Sequence, residues 1–212
     1  MNPAFLRQEY GGKALSFESL HVSPYVQFEQ WFNDAIDAPI LEANAMTLAT
    51  VNALNQPSMR TVLLKLYDTN GFVFFSNYES QKAHDIEQNS HVALHFAWLP
   101  LQRQLRIEGE IEKISTKESL RYFLSRPRGS QLGAWASNQS EIISSRSLLE
   151  SKFYELKAKF AKGEIPLPSF WGGYRVKPRR FEFWQGGENR LHDRFIYEKD
   201  TEEAWNINRL SP

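Results

Sequence analysis

The sequence predicts a mainly β fold with flanking helices, arranged as an antiparallel barrel that is closed or nearly closed. Three observations predict it. Stretches rich in β-branched and aromatic residues recur on short turns such as Asn55-Gln56-Pro57 and Asp68-Thr69-Asn70-Gly71. Segments of helical period interrupt these stretches. The pattern yields about eight strands, and closure is the simplest way to leave none of them with an open edge.

Met1 to Val22 is polar and irregular, is broken by Gly11-Gly12, and reads as an N-terminal arm; residues 23–212 read as one domain. Pro24 to Ala38 sets Tyr25, Phe28, Trp31, Phe32 and Ile36 at helical spacing, with Ser23 as N-cap and Pro24 at the first helical position. Ala45 to Leu54, Ser58 to Tyr67 and Phe72 to Ser76 form a meander. Glu79 to Asn89 reads as a short helix, and His91 to Trp98 as a strand closed by Pro100. In the long strand Gln102 to Ile114, Leu105, Ile107, Gly109 and Ile111 share one face, and Arg106, Glu108, Glu110 and Glu112 the other. Thr116 is expected to cap a helix over Lys117 to Ser125, stopped at Arg126-Pro127 because a residue before proline disfavours α geometry. Gln131 to Ala136 reads as a short helix and Ser144 to Ala161 as a longer one, with Leu148, Leu149, Phe153, Leu156 and Phe160 apolar. Past the stiff connector Ile165-Pro166-Leu167-Pro168, the strands Phe170 to Val176, Arg179 to Gln185, Leu191 to Tyr197 and Ala204 to Leu210 complete the sheet.

Composition narrows the function. The chain has 212 residues, 42% of them apolar and 14% aromatic, which argues against disorder. Net charge is zero, so no global field steers the chain to nucleic acid or membrane. There is no cysteine, which removes disulfides, thiolate metal sites and a Cys nucleophile and fits a reducing compartment. Met1 to Ser19 carries Arg7, Glu9, Lys13 and Glu18 and no apolar stretch, unlike a signal peptide. The longest near-apolar run, Val92 to Leu101, is about half of a membrane span. A cytoplasmic protein with neither nucleic-acid nor membrane partner is expected.

Chemistry concentrates in a few places. In Phe181 to Arg194, two strands are expected about a Gly186-Gly187 turn, with Arg190, His192 and Arg194 on one face. Such a face either meets an anion or is an exposed edge with solvated charges. Arg60 and Lys65 interrupt an apolar strand; five residues apart, they are expected on opposite faces, serving two anions or reaching solvent at strand ends. Tyr122 and Arg126 share a helix face, with Ser130 following, a combination that suits a phosphate but also describes ordinary Tyr–Arg stacking. His21, His84, His91 and His95 lack metal-ligand spacing, so no metal is expected. No dinucleotide or Walker glycine motif is present. Together these residues equip a small barrel for planar anionic ligands, without specifying a reaction.

Four motifs in register carry a resemblance. Phe181-Glu182-Phe183-Trp184-Gln185 through Arg190-Leu191-His192-Asp193-Arg194, Arg60-Thr61-Val62-Leu63-Leu64-Lys65, Tyr122 to Gln131, and Pro166 to Gly173 resemble the signatures of pyridoxine/pyridoxamine 5′-phosphate oxidases. The likeness runs from about Leu6 to the C-terminus. It implies an FMN-binding split barrel and a homodimer with two FMN sites at the subunit interface. It implies oxidation of the C4′ amine or alcohol of pyridoxamine or pyridoxine 5′-phosphate to pyridoxal 5′-phosphate. Hydride passes to flavin N5, and oxygen reoxidises the flavin to yield hydrogen peroxide.

Matched position by position, the implied FMN contacts are Arg60, Lys65, Phe75, Ser76, Lys82, Gln104, Gln139, Ser140, Trp184 and Arg194. The implied substrate contacts are Lys65, Tyr122, Arg126, Ser130, Arg190 and His192, with Arg7 and Tyr10 on an arm that closes over the substrate. Arg190 is expected to orient the substrate and stabilise charge as hydride leaves, and His192 to be its hydrogen-bonding partner. These two are the implied catalytic residues. Family members often carry Arg before the lysine matched by Lys82; Gln81 stands there instead, one cation fewer near the flavin phosphate. Glu42 stands where some members have Asp. Two readings compete with the oxidase: a non-catalytic split-barrel protein that carries flavin or pyridoxal phosphate, and a reductase of the same fold. A carrier has no need of the second phosphate cradle at Tyr122, Arg126 and Ser130.

Overall fold

The computed structural model describes residues 5–6, 9–11 and 14–212. Arg7 lies outside the described residues. Among the described residues nine strands form one antiparallel sheet: β1 (Ala45–Val51), β2 (Pro57–Leu63), β3 (Leu66–Asp68), β4 (Gly71–Asn77), β5 (His91–Trp98), β6 (Arg103–Lys113), β7 (Trp171–Gln185), β8 (Asp193–Lys199) and β9 (Trp205–Leu210). Five α-helices are described: α1 (Pro24–Asp37), α2 (Gln81–Gln88), α3 (Thr116–Ser125), α4 (Arg128–Ala136) and α5 (Arg146–Lys159).

Hydrogen bonding runs β2-β1-β5-β6-β7-β4-β3, with β8 and β9 branching from β7. The path starts in β2 and ends in β3, which are consecutive in the chain. The sheet therefore curls until its two ends meet through Leu64-Lys65. Strand β7 makes the split: one edge pairs with β6 along its length, while the other pairs first with β4 (Trp171–Val176) and then with β8 (Arg180–Gln185).

The expected strands Phe170–Val176 and Arg179–Gln185 are thus one strand. Pro178, which has no N–H to donate, sits where the β6–β7 register shifts: Gly109 pairs with Pro178, Glu108 with Arg180, and Arg179 is left over. A Cβ on Gly109 would collide with the Lys177 carbonyl, so the bulge requires glycine there. The expected strand Ser58–Tyr67 is instead two. Its ladder to β1 ends at Leu63, and the Lys65 amide donates to Val73 O at 2.9 Å. Ser115, not Thr116, caps α3: its Oγ accepts from Glu118 N at 3.2 Å, and the Glu118 carboxylate accepts from Ser115 N at 3.1 Å.

The main core lies between the curled sheet and α1. Phe28, Trp31 and Ala35 are buried at helical spacing, as the apolar pattern requires, while Ile36 stays outside. Phe28 meets Phe72 edge-on at 4.8 Å, and Trp31 meets Phe183 at 5.1 Å. Burying one such side chain contributes about 1.5–3 kcal/mol. A second cluster (Phe123, Leu132, Ile165, Trp171) sits under α3 and α4, fixing them beside the N-terminal end of β7. Helix α5 buries no side chain.

Candidate functional site

One cavity of about 950 Å³ gathers residues from β2, β4, α2, α3, α4 and the start of β7. Arg60, Lys65, Phe75, Ser76, Lys82, Tyr122, Arg126, Ser130, Gln139 and Ser140 all line it. Arg60 and Lys65 share it although their spacing predicts opposite faces, because the strand breaks between them at Leu64-Lys65.

Two cationic groups meet in this cavity. The first is Arg60 with Lys82. Arg60 donates from Nη1 to Thr50 Oγ1 at 2.7 Å and from Nη2 to Ser58 Oγ at 2.6 Å. Lys82 Nζ donates to Gln139 Oε1 at 2.7 Å and Ser80 Oγ at 3.1 Å. Burial, then the charge of Arg60, pushes Lys82 down to about 8. Two cations held this close are stabilised by an anion between them. Ser76 Oγ reaches the same Gln139 oxygen at 3.1 Å, and Ser140 Oγ accepts from Gln81 N at 3.3 Å. The loop after α4 is thereby fixed against β4 and α2.

The second group is Arg126 with Tyr122, Ser130 and Lys65. Arg126 is not on the helix with Tyr122: it is the extended C-cap of α3, since Pro127 follows. Its guanidinium lies 4.7 Å over Trp171, and its Nη1 is buried with no hydrogen-bond partner among the described residues. Burial depresses its pKa. A buried, unpaired guanidinium N–H calls for an acceptor, and a phosphate oxygen supplies one. Tyr122 stacks on Phe75 at 3.8 Å and 15°.

The remaining sequence candidates lie elsewhere. Arg190 and His192 do not continue a strand face with Arg194. Glu188–Arg190 form a 3-10 turn, Asn189 and Arg190 have φ of 53° and 64°, and β8 begins only at Asp193. His192 packs on Trp184 at 4.6 Å and meets Tyr10 edge-on at 5.3 Å; Arg190 lies 5.6 Å from the Tyr10 ring. Burial, and then Arg190, holds the imidazole below its ordinary pKa. Arg194 is cross-strand from Trp184 but is bonded to the buried Glu182 at 2.7 Å. Gln104 pairs across from Trp184 and contacts His95 Nε2 at 3.1 Å. This second cluster forms where the C-terminal end of β7 meets β6 and β8. Trp171 lines the cavity and Trp184 belongs to the cluster, and roughly 40 Å of strand contour separates them.

Sequence reasoning missed Trp171 as a cavity wall and missed the polar set of buried Thr50 and Asp85 with half-buried Ser58. Thr50 was detectable: it continues the buried face of Met46 and Leu48, where an apolar residue belongs. Among the described residues no group of three or more His, Asp or Glu is placed to hold a metal, and no helix is long and apolar enough to cross a membrane.

Comparison with known proteins supplies a family. The family described as pyridoxamine 5′-phosphate oxidase matches residues 32–160, and the pyridoxine 5′-phosphate oxidase C-terminal dimerisation region matches residues 171–212. The pyridoxine/pyridoxamine 5′-phosphate oxidase of Rippkaea orientalis is 61% identical over 212 residues, all of both chains. That of Escherichia coli is 53% identical over 99% of this chain and 95% of its own. Among solved structures, PhzG from Burkholderia lata, in complex with tetrahydrophenazine-1-carboxylic acid, superposes with a TM-score of 0.89 at 25% identity, covering 95% of this chain and 99% of that one. A pyridoxamine 5′-phosphate oxidase-related, FMN-binding protein from Nostoc punctiforme shares the fold at a TM-score of 0.72 and 16% identity, covering 91% of this chain and 100% of that one.

Proposed function

The chain belongs to the pyridoxine/pyridoxamine 5′-phosphate oxidase family, and from that premise we propose that it oxidises pyridoxamine or pyridoxine 5′-phosphate to pyridoxal 5′-phosphate as an FMN-dependent, cytoplasmic homodimer. The observation that carries this reading is the pair of cationic groups in one cavity. Such a pair suits two phosphate-bearing ligands held together. A flavin carrier would need only one group.

Arg60 and Lys82 suit the flavin phosphate, with Ser76, Gln139 and Ser140 as neighbouring polar contacts. Arg126 Nη1, Lys65, Tyr122 and Ser130 suit the substrate phosphate. That anchor is remote from the reacting C4′ carbon, so its binding energy fixes orientation. Bound flavin would supply the redox chemistry, accepting hydride and passing electrons to oxygen.

The residues proposed to act on the substrate ring, Arg190 and His192, do not line their own chain's cavity. A two-fold dimer removes the difficulty, because each contact is made twice with roles exchanged. The partner subunit's Arg190 and the partner subunit's His192 would then complete each cavity, with Trp184, Arg194 and Gln104 of that copy toward the flavin. Arg7 and Tyr10 belong to the same proposal as the arm over the substrate; Tyr10 already packs on His192 and Trp184. With its pKa held down and its Nδ1 accepting from Gly187 N at 3.1 Å, a neutral His192 carries its proton on Nε2 and offers a hydrogen-bond donor there. An amine substrate need only lose its ammonium proton, so no strong base is required.

The purified protein should bind FMN, show a flavin absorbance spectrum, and consume oxygen with pyridoxamine 5′-phosphate while forming hydrogen peroxide and pyridoxal 5′-phosphate. A protein that binds no FMN, or takes up no oxygen with either substrate, would refute the reading.

A further inference from the structure

Beneath the first cationic group lies a buried acid to which sequence reasoning gave no role. Asp85 on α2 is 2% exposed, and Thr50 is fully buried. Asp85 Oδ2 accepts from Thr50 Oγ1 at 2.7 Å and from Ser58 Oγ at 3.0 Å; its Oδ1 accepts from Gln81 Nε2 at 2.9 Å. Arg60 Nη2 stands 3.7 Å from Oδ2, too far for a good direct hydrogen bond. The acid therefore reaches the arginine mainly through the two hydroxyls.

A hydroxyl has one proton and two lone pairs. The two oxygens lie 3.2 Å apart and could donate to each other, but the carboxylate offers a closer acceptor to both. With both protons directed to Asp85, Thr50 and Ser58 present lone pairs to the guanidinium, which donates to each. Thr50 and Ser58 face each other across the β1–β2 ladder, so the arrangement spans two strands and a helix. Burial raises the Asp85 carboxyl, but the bonds from Thr50, Gln81 and Ser58, with Arg60 nearby, outweigh it and leave the acid ionised at neutral pH.

We propose that Asp85 is a positioning residue for the flavin phosphate: by taking the Thr50 and Ser58 protons it orients Arg60 into the cavity beside Lys82. The proposal rests on the reading that Arg60 and Lys82 hold that phosphate. It also gives Gln81 a role. Where family members often carry a cation, this chain places an uncharged amide at the cavity wall, one of whose donors is committed to Asp85.

The test compares FMN with riboflavin, which lacks the phosphate, as ligands of the apoprotein, with Kd read from flavin fluorescence quenching. Asp85→Ala should weaken FMN about tenfold or more while riboflavin stays within about twofold. The double substitution Thr50→Val with Ser58→Ala keeps the charge and removes the relay, and should give the same selective loss. If Asp85→Ala does not fold, Asp85→Asn, close in shape, is read by the same FMN-to-riboflavin ratio. Unchanged or tighter FMN binding in these variants overturns the proposal, as does a parallel loss for both ligands. Arg60→Met separates the two levels. If it leaves the ratio untouched, the phosphate reading fails and the proposal with it; if it collapses the ratio while the Asp85 and hydroxyl variants do not, the proposal alone fails.

Discussion

Lys82 Nζ donates to Gln139 Oε1 at 2.7 Å, joining the start of α2 to the loop beyond α4 in the wall of the cavity. Its pKa of about 8 lies below the ordinary 10.5 because burial and Arg60 disfavour the charge. Between those values the unfolded chain binds more protons than the folded one. Apoprotein stability should therefore gain from this lysine as pH rises from about 8 to about 10.5. FMN affinity should move the opposite way, weakening about tenfold between about pH 7 and about pH 9 as the cation is lost. Fluorescence titration and denaturant melts across that range check both trends, and Lys82→Met should abolish both.

Arg126 should govern the substrate and not the flavin. Arg126→Met should raise KM for pyridoxamine 5′-phosphate about a hundredfold, since a buried charge-assisted contact is lost, and leave the FMN Kd within about twofold. Steady-state kinetics beside flavin titration reads the split. Equal losses in both would remove Arg126 from the substrate phosphate.

Subunit complementation tests the shared cavity. Assayed at substrate near the wild-type KM, Arg126→Met and Arg190→Met homodimers should each be nearly inactive. Mixed and allowed to exchange subunits, they should recover roughly a quarter of wild-type activity, because half the dimers then carry one cavity with neither substitution. No recovery, with exchange verified by tagged subunits, would place both residues in the same chain's site.

Gly109→Ala should destabilise the fold by about 1–3 kcal/mol, because the new methyl meets the Lys177 carbonyl rather than a side chain that can move aside. Chemical denaturation of the apoprotein measures it.

Much of the fold was legible because one face of each strand differs from the other. The expected strand His91–Trp98 is β5 to the residue, Gln102–Ile114 differs from β6 by one residue at each end, and of its two expected faces the one with Leu105, Ile107, Gly109 and Ile111 is buried. The break at Leu64-Lys65 was not legible, since Val62-Leu63-Leu64 reads as continuous strand. The chain turns there because β1 has no residue left to pair and β4 offers the Val73 carbonyl. The expected break between Val176 and Arg179 erred in the other direction, since a bulge at Pro178 lets the strand continue. In the site, the cations were legible as unusual residues in apolar surroundings. Asp85 was not, because a helical aspartate reads as solvated until the tertiary structure buries it. The shared face of Arg190, His192 and Arg194 assumed extended backbone, and the left-handed turn at Asn189 and Arg190 defeats that assumption.

The position of β7 has a consequence for how the chain is made. Strand β7 is late in the sequence yet sits in the middle of the sheet, between β6 and β4. A nascent chain that has emerged as far as α5 can pair β1 with β2 and β5 with β6, but it holds a vacant slot between the unpaired edges of β6 and β4. Cooperative closure must wait for Trp171–Gln185 to leave the ribosome, and its pairings with β4 span about a hundred residues, a topology that folds slowly. During that interval the open edges invite pairing with other chains, so synthesis interrupted before Gln185 should yield aggregates rather than a smaller folded barrel.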